Sequence, residues 1–298
     1  MKSFKEYFFY GNWFYGVCAV ALSIEASVQQ FVSLNMFIYY AAILIVTVVY
    51  YNKAYINVSL LKTSDNPRTI WYIQHHKFMI IAQWILSFLL VIISFIAGDK
   101  LGDIYKLLSG IDWVVLLIFP LVALGYYGFG YCFNLRNNGW TKPYVIGCVW
   151  AGTVTLYPVL FHSIETHTDF ALNIRCVVLF FKNWLFIAML CVLFDIKDYA
   201  IDANLSLNTY VVQRGLRKTI FRMVIPMSII GFSFFILYAC NSHFPIGRML
   251  INTIPFIALI FVSYTLVKRR SLMYYLVVVD GLMLLKALCG ILAIIYFK

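Results

Sequence analysis

Windows of about 20 predominantly apolar residues recur from one end of this 298-residue chain to the other, and a window of that size is what a helix needs to cross the hydrocarbon core of a bilayer. Nine can be drawn, at 8–24, 35–56, 77–97, 106–127, 143–161, 174–194, 221–240, 246–266 and 272–297. In hydrocarbon every backbone N–H and C=O must be satisfied by the chain itself, and a helix does so within each segment. The expected fold is all-α, a polytopic membrane helical bundle of about nine transmembrane helices in a single domain, 1–298. Composition excludes an ordinary soluble domain: 63% of the residues are hydrophobic and mean hydropathy is +0.87, where roughly half is usual. The first window follows Lys2 and Lys5 and contains Ala19-Val20-Ala21, as a cleaved signal would. Gly11, Asn12 and Trp13 interrupt its apolar run, so the expectation is a retained span.

A net charge of +11 invites a nucleic-acid reading, but the basic residues are dispersed between spans, and cytoplasmic anchoring explains them; no nucleic-acid partner is expected. With the N-terminus inside, sixteen of the 23 Lys and Arg residues fall on the cytoplasmic side. Lys100, Lys106, Arg175, Arg248 and Lys298 fall on the other, while Lys182 and Lys286 lie within spans. The expected setting is a bacterial inner membrane, with the bilayer itself as a partner. The longer loops, 52–76, 128–142 and 195–220, then face the cytoplasm, where binding groups on a helical scaffold concentrate. The 7 cysteines show no C-x-x-C spacing and read as small packing residues.

Asp195, Asp198 and Asp202 emerge from the end of the sixth apolar window. If the helix continues, offsets of three, four and seven place all three on one face. Arg214, Arg217 and Lys218 follow in the same loop. Carboxylates and basic groups so placed suit a hard divalent cation shared with a phosphorylated ligand; a solvated helix end with a positive tail is the plainer alternative.

The run DIKDYAIDANLSLNTYVVQRG (195–215) resembles the second aspartate-rich motif of the UbiA-type membrane prenyltransferases, D-x-x-D-x-x-x-D followed by Thr and Arg-Gly. The segment from Tyr126 through Arg136, Lys142 and Trp150 to Pro158 resembles that family's link between its fourth and fifth helices. The resemblance implies a bundle around a central cavity that binds an isoprenyl diphosphate and transfers its prenyl group to an aromatic or other lipophilic acceptor. It implies Mg²⁺ held by Asp195, Asp198 and Asp202 as the catalytic acids. Asn52, Lys53, Arg68, Tyr126, Lys142 and Arg214 are the implied substrate-binding residues. In such a site metal and basic groups neutralise the diphosphate, and aromatic faces stabilise an allylic cation.

The first aspartate motif of that family departs here. Asn52 is kept, but Lys53, Ile56 and Leu60 stand where carboxylates are expected, and Asp65 is out of register. Two readings follow: Lys53 places an ammonium on the diphosphate in place of one carboxylate-bound Mg²⁺ while the second motif keeps the other, or the cavity binds an isoprenoid lipid without turnover. A small-molecule transporter is a third, and would spread acids through the membrane depth. Adjacent His75 and His76 point in different directions and suit an interfacial role. Of the ionisable residues inside spans, Lys182 is expected to snorkel outward. Glu25, Asp280 and Lys286 each require a partner or water.

Overall fold

The computed structural model describes residues 2–59, 66–96, 108–127, 139–170, 172–204 and 209–297. Arg136, Cys132, Leu60 and Asp65 lie outside the described residues, as do the side chains of Asp198 and Asp202. All regular structure among the described residues is helical. In chain order the helices are α1 (Lys2–Tyr10), α2 (Trp13–Gln29), α3 (Phe37–Ser59), α4 (Pro67–Gln74), α5 (His76–Ile96) and α6 (Gly110–Tyr127). They continue with α7 (Lys142–Thr166), α8 (Ile174–Asn204), α9 (Tyr210–Arg214), α10 (Leu216–Asn241), α11 (Ile246–Thr265) and α12 (Leu272–Tyr296). Seven of them, α3, α5, α7, α8, α10, α11 and α12, are long and apolar enough to cross a membrane, and α2 and α6 are shorter apolar helices over the two remaining windows.

Packing divides the chain into two compact units, one of Met1–Ala21 with Asn35–Leu107 and one of Leu22–Leu34 with Leu108–Lys298. In the second, α8 is the central helix, packed most closely on α7 and α10. The α7–α8 seam is tight because Gly147 has no side chain: a Cβ there would come within 2.9 Å of Ala188 N and Trp184 O. Small residues let membrane helices approach in this way. The Trp184 indole donates to Tyr144 O at 2.7 Å across the same seam.

Three of the spanning helices carry one wide π-helical turn, at Gly152–Leu156, Ile220–Val224 and Tyr275–Val279. Two have a local cause. Pro158 and Pro226 lack an N–H, and their rings would strike the carbonyls of Val154 and Arg222, four residues back; widening the turn relieves both problems. The gap at Gly152 is filled by Phe119 of α6, whose ring occupies the place a side chain would take. In the third, Asp280 N reaches back five residues to Tyr275 O at 3.0 Å.

Candidate functional site

The acidic stripe is helical throughout. Helix α8 runs 31 residues from Ile174 to Asn204 without a break, so the backbone positions of Asp195, Asp198 and Asp202 share one face, as the offsets require. Asp195 is buried, and its Oδ1 accepts a 2.7 Å hydrogen bond from Lys142 Nζ, with side-chain exposures of 5% and 26%. Lys142 opens α7 beside Pro143, whose missing N–H costs nothing in a first turn. The Gly147 seam then holds the two helices close enough for this pair to form.

A polar edge adjoins it in the same unit. The Trp140 indole donates to Gln213 Oε1 at 2.9 Å and meets Tyr210 edge-on at 4.7 Å. Tyr210 and Gln213 belong to α9, which starts under a Thr209 cap that accepts from Val212 N. Arg214 is exposed in the last turn of α9, where a cation suits the helix dipole. Gly215 ends the turn at φ +78°, ψ 159°, a conformation open in practice to glycine alone. Gly215→Ala is therefore expected to cost about 1–3 kcal/mol, read as a lower unfolding midpoint in detergent; an unchanged midpoint would show that this turn carries no strain. Tyr126 is buried near the end of α6, also in this unit.

The other nominated residues lie in the first unit. Asn52 and Arg68 meet in a buried network that the sequence did not single out, centred on Asn12. Asn12 takes φ +63° in the break between α1 and α2, a backbone region that asparagine tolerates. Its Nδ2 donates to Asn52 Oδ1 at 2.8 Å and to the Tyr72 hydroxyl at 3.1 Å, and Tyr72 donates to Asn52 Oδ1 at 2.7 Å. Arg68 donates to Asn12 Oδ1, to Tyr10 O at 3.0 Å and to the Tyr55 hydroxyl at 3.1 Å, with its guanidinium 4.1 Å from the Tyr55 ring centre. Burial pushes the Tyr72 phenol up from its usual range, with Arg68 pulling the other way. Such a network ties α1, α3 and α4 together.

Lys53 is different, being exposed on a groove of about 360 Å³ between α3 and α5, lined also by Asn57, Gln83, Trp84 and Ser87. His75 stacks on Trp71 at 4.7 Å and meets Tyr7 edge-on, an aromatic packing role.

A third constellation lies inside the second unit. Lys182 does not snorkel: it is 2% exposed, and its ammonium lies 3.4 Å from Glu25 Oε1 and 3.1 Å from Gln29 Oε1. Lys286 donates to the other carboxylate oxygen of Glu25 at 2.8 Å. Gln29 extends the set by donating to Asn252 Oδ1 at 3.0 Å. Glu25 is 0% exposed, and α12 makes room for it at Gly290, where a Cβ would come within 2.4 Å of Glu25 Cγ. One carboxylate thus bridges two ammonium groups from helices far apart in sequence, which is why helical spacing within α8 or α12 gave no partner for either lysine.

Among the described residues no three His, Cys, Asp or Glu side chains are gathered for a metal. No disulfide joins any two of the six described cysteines. Compared with known proteins, the chain matches no family model, no curated protein and no solved structure.

Proposed function

We propose that this chain is a membrane-embedded prenyltransferase, a bundle of nine spans around a central cavity, with its aspartates at the cytoplasmic face of a bacterial inner membrane. The observation that carries the reading is the partly buried Lys142–Asp195 pair, 2.7 Å long, whose Asp195 shares a helix face with the backbone positions of Asp198 and Asp202. Residues nominated separately for metal and for diphosphate thereby occur together in one compact unit.

The donor set suits Mg²⁺ in kind. Three carboxylates on one helix face offer hard oxygens, and rises of about 4.5 and 6 Å between successive acids leave space for phosphate oxygens and water to complete the shell. Asp198 and Asp202 would hold the ion, while Asp195 is engaged by Lys142. Bound there, Mg²⁺ would supply positive charge against the diphosphate. Lys142 and Arg214 offer N–H donors to the same oxygens, and Tyr126 offers an aromatic face to the developing cation. The bond between the prenyl C1 and the diphosphate oxygen breaks, its electron pair leaving with diphosphate. The acceptor carbon bonds to C1, and its proton passes to solvent.

Binding of an isoprenoid lipid without turnover is the second reading. It is favoured by the first unit, where Asn52 and Arg68 are committed to the Asn12–Tyr72 network and Lys53 stands in place of an acid. One experiment addresses both: titrate the purified protein with farnesyl diphosphate with and without Mg²⁺, then assay diphosphate release with aromatic acceptors. Asp198→Asn and Asp202→Asn are expected to abolish the Mg²⁺-dependent component. If both variants bind like the parent, the site is misassigned; if the parent binds but releases no diphosphate, the second reading holds.

A further inference from the structure

The end of the second unit opposite the aspartates carries a second set of cations. Arg175 lies 20 residues before Asp195 on α8, about 30 Å along the helix. Arg175 and Arg248 belong to the few basic residues that the charge distribution leaves on that side. They converge: the two guanidinium carbons lie 5.9 and 5.3 Å from the centre of the same Phe31 ring.

Arg248 is anomalous for its position. It occupies the first turn of α11, where the helix dipole favours an anion over a cation. It is nevertheless 4% exposed, its guanidinium 3.7 Å from the Phe244 ring centre. Among the described residues, its Nε and Nη2 have no hydrogen-bond partner. Those two N–H groups lie side by side on one edge of the guanidinium, the edge that grips a carboxylate or phosphate with two parallel bonds. A buried charged donor left without an acceptor costs more than one that is paired. Among the described residues no carboxylate pairs with Arg248, and the buried Glu25 of the same unit is held by Lys182 and Lys286.

We propose that Arg248, supported by Arg175 and walled by Phe31 and Phe244, is an oxyanion-binding site for a phosphate group at the membrane face away from the aspartates. The phosphate belongs either to an anionic lipid headgroup or to a soluble anion. Phe31 and Ile246, 58% and 77% exposed beside the site, provide an apolar rim suited to the first. The site is independent of the prenyltransferase reading, since it shares no residue with the aspartate end.

The test uses the full chain in two arms. In the soluble arm, inorganic phosphate is titrated against the detergent-solubilised protein and the unfolding midpoint is followed. In the lipid arm, the protein is reconstituted with phosphatidylglycerol or phosphatidylcholine, and retained lipid is counted by native mass spectrometry. Saturable stabilisation by phosphate, or selective retention of phosphatidylglycerol, supports the site and identifies the source. Arg248→Gln should weaken that response by about tenfold or more, as loss of a bidentate pair implies. Arg175→Gln, a change at a half-buried position, should weaken it to a lesser but measurable degree and serves should Arg248→Gln fail to fold. Overturning results are a parent protein that responds to neither probe, or an Arg175→Gln protein and a folded Arg248→Gln protein that both respond as the parent does.

Discussion

Replacing Glu25 with Gln is expected to destabilise the protein by about 3–5 kcal/mol, the usual consequence of removing one partner from a buried ion pair. The expectation rests on its surroundings. Glu25 is the acid contacted by Lys182 at 3.4 Å and Lys286 at 2.8 Å, and all three residues are at most 3% exposed. Removing the carboxylate charge leaves two ammonium groups close together in a medium that screens them poorly. The cluster is costly to break but is not thereby a source of net stability, because desolvating three ions offsets much of their attraction. Replacing Glu25, Lys182 and Lys286 together by Leu or Met should accordingly recover most of the loss. Unfolding midpoints of the single and triple variants in detergent separate the two effects. A Glu25→Gln protein as stable as the parent would mean that water or a bound anion reaches the lysines.

Gly147→Leu is expected to separate α7 from α8, costing about 1–3 kcal/mol or more as an overpacked contact. The obstruction is backbone: Ala188 N and Trp184 O each lie 2.9 Å from where the new Cβ would stand, and neither can swing aside as a side chain can. The Lys142–Asp195 pair lies on the same seam, so the change should also weaken Mg²⁺-dependent diphosphate binding if Lys142 serves there. The comparison to make is Gly147→Leu against Lys142→Met, measured for both folding midpoint and ligand affinity. Loss of affinity in Lys142→Met at an unchanged midpoint assigns Lys142 to the ligand; loss in Gly147→Leu alone assigns the seam a purely architectural role.

What could be read from the sequence follows the range of the forces involved. The apolar windows became helices because hydrocarbon requires a continuous segment to satisfy its own backbone. The stripe at Asp195, Asp198 and Asp202 continued the same helix, as its offsets of three, four and seven presuppose. Lys182 was misread because its partner is 157 residues away in sequence, and no period within α8 points to it. Asn12 was legible only as an interruption of an apolar run. Its role depends on Asn52 arriving from α3 and on Arg68 and Tyr72 arriving from α4. The apolar helices are a property of local composition, whereas the contents of each site are set by which helices meet.

The π-helical turn at Tyr275–Val279 has a consequence for how this chain tolerates change in length. It accommodates one residue more than a regular helix would, and each residue added or removed turns the rest of a helix by about 100°. Lys286 and Gly290 lie beyond it, four residues apart on the face that meets Glu25. Deleting Val277 would leave a continuous α-helix, yet it would swing Lys286 away from its carboxylate. The wide turn thus acts as a spacer that sets the angular alignment of α12, and a deletion there would be felt two turns away, at a contact it does not touch.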